Sequence, residues 1–169
     1  MRPDPSRHVA QDPAEKWLAD EMLGRLARFL RMMGLDTDSP TGLSDDALRA
    51  RAQSEGRTLL TRDAALARRT PGAVRLHALD LAGQLREFHQ ARPSIELRPR
   101  FDRCTKCNGE LHELSPTEAR AAHIPDPVID RPAPAPMFQC GACGQAYWEG
   151  SHTDRIRQFL DAQRDAENL

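Results

Sequence analysis

The sequence predicts an α/β protein: a three-layer α/β/α domain around a mostly parallel sheet, then a small four-cysteine ribbon, then a C-terminal helix. Three observations predict it. Short apolar runs alternate with amphipathic stretches between residues 16 and 98, and strands that alternate with helices build parallel sheets covered on both faces. Cys104-Thr105-Lys106-Cys107 and Cys140-Gly141-Ala142-Cys143 then bracket 32 residues. The closing segment is polar, with Ile156, Phe159 and Leu160 on one side at helical spacing.

The 169 residues divide into a flexible tail (1–15), the α/β domain (16–98), the ribbon (99–151) and the terminal helix (152–169). Three prolines and five charges make the tail a loose segment. Trp17-Leu18-Ala19 reads as the first strand and runs into Asp20-Glu21. Met22, Leu23, Leu26, Ala27, Leu30 and Met33 recur three and four apart, the spacing of a helix, with Arg25, Arg28 and Arg31 on another face and Gly34 as the stop. A brief strand around 35–37 follows. Ser44 is placed to cap a helix over 45–55, which Gly56 ends. Residues 57–61 read as a buried strand, and Asp63 opens a helix reaching Arg69. Residues 74–79 alternate like a strand, and 80–91 form a helix with Leu81, Leu85 and Phe88 inward. Five prolines in 125–136 predict an irregular excursion at the tip of the ribbon.

Composition narrows the class. With 39% hydrophobic and 29% charged residues and a net charge of −1, the chain can bury a core and is not a disordered one. No apolar run approaches the ~20 residues of a membrane helix, and the opening residues lack the apolar stretch of a signal peptide. The expectation is a soluble, cytoplasmic protein with no membrane contact, whose thiols hold metal rather than pair. Charge is uneven: residues 1–100 carry 17 basic against 14 acidic side chains, residues 101–169 carry 7 against 11. Of the 24 cations 22 are Arg, which forks onto phosphate as Lys does not; a general Arg bias is the simpler account of the bulk of them.

Two constellations carry chemistry. Cys104, Cys107, Cys140 and Cys143 supply the four thiolates of a closed tetrahedral zinc site, which has no open position and is therefore structural. The long gap between the pairs is tolerated because loop closure grows slowly with length. The second constellation is acidic. Asp20 follows the first strand, Asp45 and Asp46 open the helix after the second, Asp63 sits two residues past the end of the third, and Asp80 follows the fourth. Sites in parallel sheets form beyond the carboxyl ends of the strands. Helix capping explains Asp45, Asp63 or Asp80 singly; four segments converging on one rim favour a site for magnesium or manganese, which prefer oxygen ligands. Such an ion activates water and neutralises charge in phosphodiester hydrolysis.

These residues resemble a known family. WLADEMLGRLARFLRMMGLDT, LSDDALRARAQSEGRTLLTRDAALARR, CTKCNGEL and CGACGQAYWEGSH, in that order over 16–160, resemble the Mut-7 carboxy-terminal RNase domain family, which looks like a PIN-type nuclease fold fused to a zinc ribbon. The resemblance implies a PIN-like, metal-dependent ribonuclease with RNA as its partner. Asp20 matches the first acid of the family's L-x-D-E motif, Asp45 the acid opening the Ser-Asp helix, and Asp63 the acid of Thr-Arg-Asp. Glu21 and Asp46 are adjacent additional acids, and Asp80 matches a less strictly acidic position. The chain departs from a typical PIN domain in lacking a mid-helix Glu as second ligand.

Around these acids, Arg25, Arg28 and Arg31 either hold phosphates along the rim or form a solvated face. Arg62, between Thr61 and Asp63, is the best single phosphate contact, and Thr61 orients Asp63 or water, or simply ends the strand. Tyr147-Trp148 and Gly150-Ser151-His152 match the family's Tyr-Trp-x-Gly-Ser-His. His152 is a phosphate or metal contact or a buried hydrogen-bonded residue. The ribbon's aromatics Phe101, Phe138, Tyr147 and Trp148 either stack on bases or pack the ribbon onto its neighbour. The rival function is a non-catalytic RNA- or protein-binding module that keeps the fold; a redox role for the Cys-x-x-Cys pairs is weaker. The sequence names neither a protein inhibitor nor an oligomeric state.

Overall fold

The computed structural model describes residues 15–133 and 135–166, so the predicted tail lies outside the described residues except for Glu15. Glu15 accepts hydrogen bonds from Arg92 and from the Thr58 hydroxyl.

Four parallel strands, β1 (Lys16–Ala19), β2 (Thr37–Asp38), β3 (Arg57–Thr61) and β4 (Val74–Arg75), form one sheet in the order β2-β1-β3-β4. The inner strands carry consecutive buried residues, Trp17-Leu18-Ala19 and Leu59-Leu60-Thr61, because both faces are covered. Alternate side chains point to opposite faces. Trp17, Ala19 and Leu60 join one core, and Leu18 and Leu59 the other.

Helices α1 (Gly24–Met32), α4 (Leu81–Ala91) and the terminal α7 (Ser151–Asp165) cover the first face. Leu26, Leu30, Leu85, Phe88 and Leu160 are fully buried there. Helices α2 (Asp45–Glu55) and α3 (Ala64–Arg69) cover the second face through Leu48, Ala52 and Leu66. Together these make the predicted three layers. Capping sets the helix bounds: Ser44 Oγ accepts from the Ala47 amide, and Gly56, at φ 61°, takes the left-handed turn that ends α2.

Three elements differ from expectation. The helix predicted from Met22 begins as a 3-10 turn, Glu21–Leu23, before α1. The strand expected over 74–79 pairs only at Val74–Arg75. Beyond it, the Glu87 carboxylate accepts from the amides of His77 (2.6 Å) and Ala78 (3.1 Å) and takes them out of the ladder. The third difference is the ribbon insert, which is not simply irregular. It holds α5 (Pro116–Ala121), opened by a reciprocal Ser115–Glu118 capping box, and α6 (Asp126–Ile129). Leu114, Ala119, Ile124, Ile129 and Met137 give the insert a small core of its own.

The ribbon is an antiparallel sheet of β5 (Leu111–Glu113), β6 (Met137–Cys140) and β7 (Ala146–Trp148) in sequence order. From it α7 returns to the α/β domain, where Phe159 meets Phe29 edge-on at 5.6 Å and Arg86 donates to Gln163. Among the described residues, no helix is long and apolar enough to cross a membrane.

Candidate functional site

Two tight turns bring the four cysteines together. Their sulfurs all lie within 4.8 Å of one another, with Cys104–Cys143 at 3.6 Å and Cys107–Cys140 at 3.4 Å. The thiols are free rather than paired in disulfides. A tetrahedral zinc with Zn–S of about 2.3 Å places its sulfurs about 3.8 Å apart, so these donors fit a metal such as zinc. The first turn requires a left-handed residue, and Asn108 supplies it at φ 65°. Gly109 follows for a different reason: a Cβ there would lie 2.9 Å from both Cys140 Sγ and Ala142 Cβ.

The sulfurs differ in environment. Burial opposes the Cys104 thiolate, yet Tyr147 Oη at 3.1 Å and the amides of Cys107 and Lys106 bring its pKa down to about 6. The Gly109 amide favours a Cys107 thiolate, but burial and the three neighbouring sulfurs push it up to about 12. Four thiolates this close repel one another, and a divalent cation at their centre removes that repulsion.

The first turn also fastens the ribbon to the sheet edge. Thr37 N donates to Asn108 Oδ1 (3.0 Å), and Asn108 Nδ2 donates to Asp36 Oδ1 (2.7 Å). Arg31 Nε donates to the Thr37 carbonyl (2.7 Å), and its Nη1 to the carbonyls of Thr105 (3.2 Å) and Lys106 (3.3 Å). Arg31 is therefore a buried brace, at 7% exposure, and not part of a solvated or phosphate-holding face. Burial lowers its pKa, against the attraction of Asp38 and of Cys104 and Cys107.

At the carboxyl rim of the sheet, Thr61 joins two of the predicted acids. Its hydroxyl, wholly buried, donates to Asp20 Oδ2 (2.8 Å) and accepts from the Asp63 amide (3.0 Å). Asp63 Oδ1 caps α3 by accepting from Leu66 N at 2.7 Å, and that amide holds its pKa below the ordinary value. Asp80 caps α4 in the same way through Gly83 N, with the same effect on its pKa. Glu21 Oε2 accepts from Gly42 N (3.1 Å), drawing the loop after β2 toward the end of β1. Asp45 pairs instead with Arg69 (2.9 Å), and Asp46 with Arg49 and Arg69. Among the described residues, the four cysteines are the group of three or more Cys, His, Asp or Glu close enough to hold a metal; Asp20, Asp45 and Asp63 do not form another.

Arg25 and Arg28 are exposed on α1, and Arg62 beside Asp63 has a buried Nε with no hydrogen bond among the described residues. His152 is exposed in the first turn of α7 and lines a cleft with Trp148. The ribbon's aromatics mostly pack: Phe101 stacks on Phe138 at 5.0 Å, Tyr147 serves Cys104, and part of Trp148 lies on the insert's core. Nothing in the sequence singles out Asn108, and its spacing groups Arg31 with Arg25 and Arg28. The helical wheel carried a signal for Arg31: at 100° per residue it falls beside the buried Ala27.

No curated protein and no solved structure gives a significant match to this chain. The Mut7-C RNAse domain family matches residues 15–160, a span that takes in the acidic rim and the four-cysteine centre alike, and the chain belongs to that family.

Proposed function

We propose that the protein is a metal-dependent ribonuclease that hydrolyses RNA phosphodiester bonds at the carboxyl rim, and that its four cysteines hold a structural zinc. The observation that carries the reading is the Thr61 bridge, which joins Asp20 and Asp63 from two adjacent strand ends. In this reading Asp20, Asp63 and Asp45 offer the oxygen donors that magnesium or manganese takes. Such an ion, when bound, neutralises phosphate charge and acidifies water. Thr61 holds Asp20 in one rotamer by donating to Oδ2, so the other oxygen faces one direction. Arg62 and the exposed Arg25 and Arg28 bind phosphates, and His152 contacts the strand at the ribbon side.

One observation favours the second reading, a non-catalytic RNA-binding module: Asp45 is paired with Arg69 rather than with the bridged acids. The two readings separate on incubating a mixed-sequence RNA with the protein and manganese, alongside Asp20→Asn. Cleavage by the parent that Asp20→Asn loses supports the nuclease. A parent that binds RNA and never cleaves it supports the module.

A further inference from the structure

Two clefts adjoin along the seam between α1 and the ribbon, sharing Arg28, Thr105 and Tyr147. One, of about 390 Å³, reaches from the shared residues to Trp148 and His152. The other, of about 800 Å³, passes Arg25 and Lys106 and ends at Gly24, Ser39 and Thr41. Gly24 closes the turn that starts after Asp20, and Ser39 and Thr41 lie on the loop that leads to Asp45. The second cleft therefore opens toward the acidic rim.

The lining chemistry is one-sided. Seven Arg and Lys side chains line the two clefts, and among the described lining residues there is no Asp or Glu. Arg31, Arg103 and Arg131 also bond protein carbonyls, Arg100 pairs with Asp102 at 2.6 Å, and Arg103 lies 3.8–3.9 Å from Glu110 and Asp36, so these four are partly engaged. Arg25, Arg28 and Lys106 make no ion pair among the described residues, and they fall in the middle of the path. Three neighbouring cations without acid partners suit a linear polyanion. The far end adds the half-buried Trp148 and the exposed His152 in a cleft of the size that takes a small organic group. A polyanion with flat side groups is a nucleic acid strand, and stacking on an aromatic ring requires its bases to be unpaired.

We propose that the two clefts form one track for single-stranded RNA, with phosphates following Arg25, Arg28 and Lys106 and one unstacked base entering beside Trp148 and His152. The proposal rests on the ribonuclease reading for the choice of RNA. The strand runs from the rim, over the zinc-centre turn, to the start of α7, so the ribbon selects the strandedness of what reaches the acids.

The chain has two tryptophans, and Trp17 is wholly buried, so a change in emission on binding reports Trp148. The test titrates zinc-loaded protein, without added magnesium or manganese, with a 12-nucleotide single-stranded RNA and with its blunt duplex. Labelled-RNA anisotropy and tryptophan emission are read together. The single strand is expected to bind at least about tenfold tighter than the duplex and to quench emission. Arg28→Gln is expected to weaken single-strand binding about fivefold and to lower the log–log salt slope by about 0.7. Trp148→Leu is expected to lose about tenfold; should it fail to fold, Arg28→Gln, an exposed substitution, still decides. Equal or tighter duplex binding, unchanged emission at saturation, or a parental salt slope in Arg28→Gln would each overturn the track. A protein that binds in this way but cleaves no RNA with manganese keeps the track and loses the nuclease reading. One that cleaves RNA with unquenched emission loses the track alone.

Discussion

Asn108 Nδ2 donates to Asp36 Oδ1 at 2.7 Å, and through this bond the first cysteine turn is tied to the edge of the α/β sheet. The two residues lie 72 positions apart in the chain. The same side chain accepts from the amide of Thr37, which is wholly buried. One residue therefore shapes the turn, satisfies a buried donor and binds a carboxylate.

Replacing Asn108 separates these roles. Asn108→Ala loses both hydrogen bonds and puts an ordinary side chain at φ 65°, a combined cost of about 3 kcal/mol. Asn108→Gly recovers only the backbone part, about 1 kcal/mol. Urea unfolding of both variants checks the order; an Asn108→Gly protein as stable as the parent would remove the docking role.

Asp36 makes the joint acid-sensitive. Burial opposes its charge, but hydrogen bonds from Arg57 and Asn108 and the nearby Arg57 and Arg103 charges win, and its pKa lies below the ordinary 3.8. A carboxyl with a lowered folded pKa adds stability that is full above the unfolded value and is lost as pH falls through the folded one. Stability measured by urea unfolding should therefore drop below about pH 4. Asp36→Asn should be less stable than the parent at pH 7 and show a shallower drop in acid. Parallel curves would contradict this.

Gly109→Ala tests the proposed zinc site without replacing a cysteine. The backbone at 109 has no positive φ, so the effect is steric: the new methyl would press on Cys140 Sγ and Ala142, with Cys107 Sγ 3.3 Å away. The parent should carry about one zinc per chain, and Gly109→Ala should release it to a chromophoric chelator at least about tenfold faster. Cys107→Ser should bind none stably and lose the ribbon's fold. Zinc-free parent protein, purified without chelators, would end the assignment.

Arg31 and Arg28 lie three residues apart on α1 and should behave oppositely. Arg31→Met removes a buried guanidinium serving three carbonyls and should cost about 2–4 kcal/mol. Arg31→Lys, which cannot fork, should recover little of it. Arg28→Met changes an exposed residue and should stay within about 0.5 kcal/mol of the parent. Thermal melts of all three suffice.

Asp63→Asn bears on catalysis. Asn keeps the capping oxygen that accepts from Leu66 N, so the melting curve should hardly move. The carboxylate charge at the rim is gone, and RNA cleavage with manganese should fall at least about a hundredfold. A variant that melts and cleaves like the parent would leave Asp63 as a cap and nothing more.

Much of this protein was legible because its signals are local. Ser44 and Gly56 bracket α2 within a dozen positions, and both act through their own backbone neighbourhood. The short segment 57–61, with Leu59 and Leu60 at its centre, becomes a strand paired on both sides. Cys-x-x-Cys spacing brings two sulfurs to one turn wherever that turn lies. The capping box at Ser115 was just as local, Ser-Pro-Thr-Glu, but the prolines that follow hid the helix it opens.

By itself the sequence determined the alternation of strands and helices, the clustering of four thiols and the placement of Asp20 and Asp63 just past strand ends. These follow from hydrophobic period, capping chemistry and ligand spacing, which act over a few residues. Tertiary structure alone decided that Arg31 braces the ribbon, that Asn108 reaches Asp36, that Thr61 joins Asp20 to Asp63, and that Arg69 takes Asp45. The contacts Arg31–Lys106, Asn108–Asp36, Thr61–Asp20 and Arg69–Asp45 span 24 to 75 positions, so the partner is chosen by how the layers pack, and no local propensity encodes it.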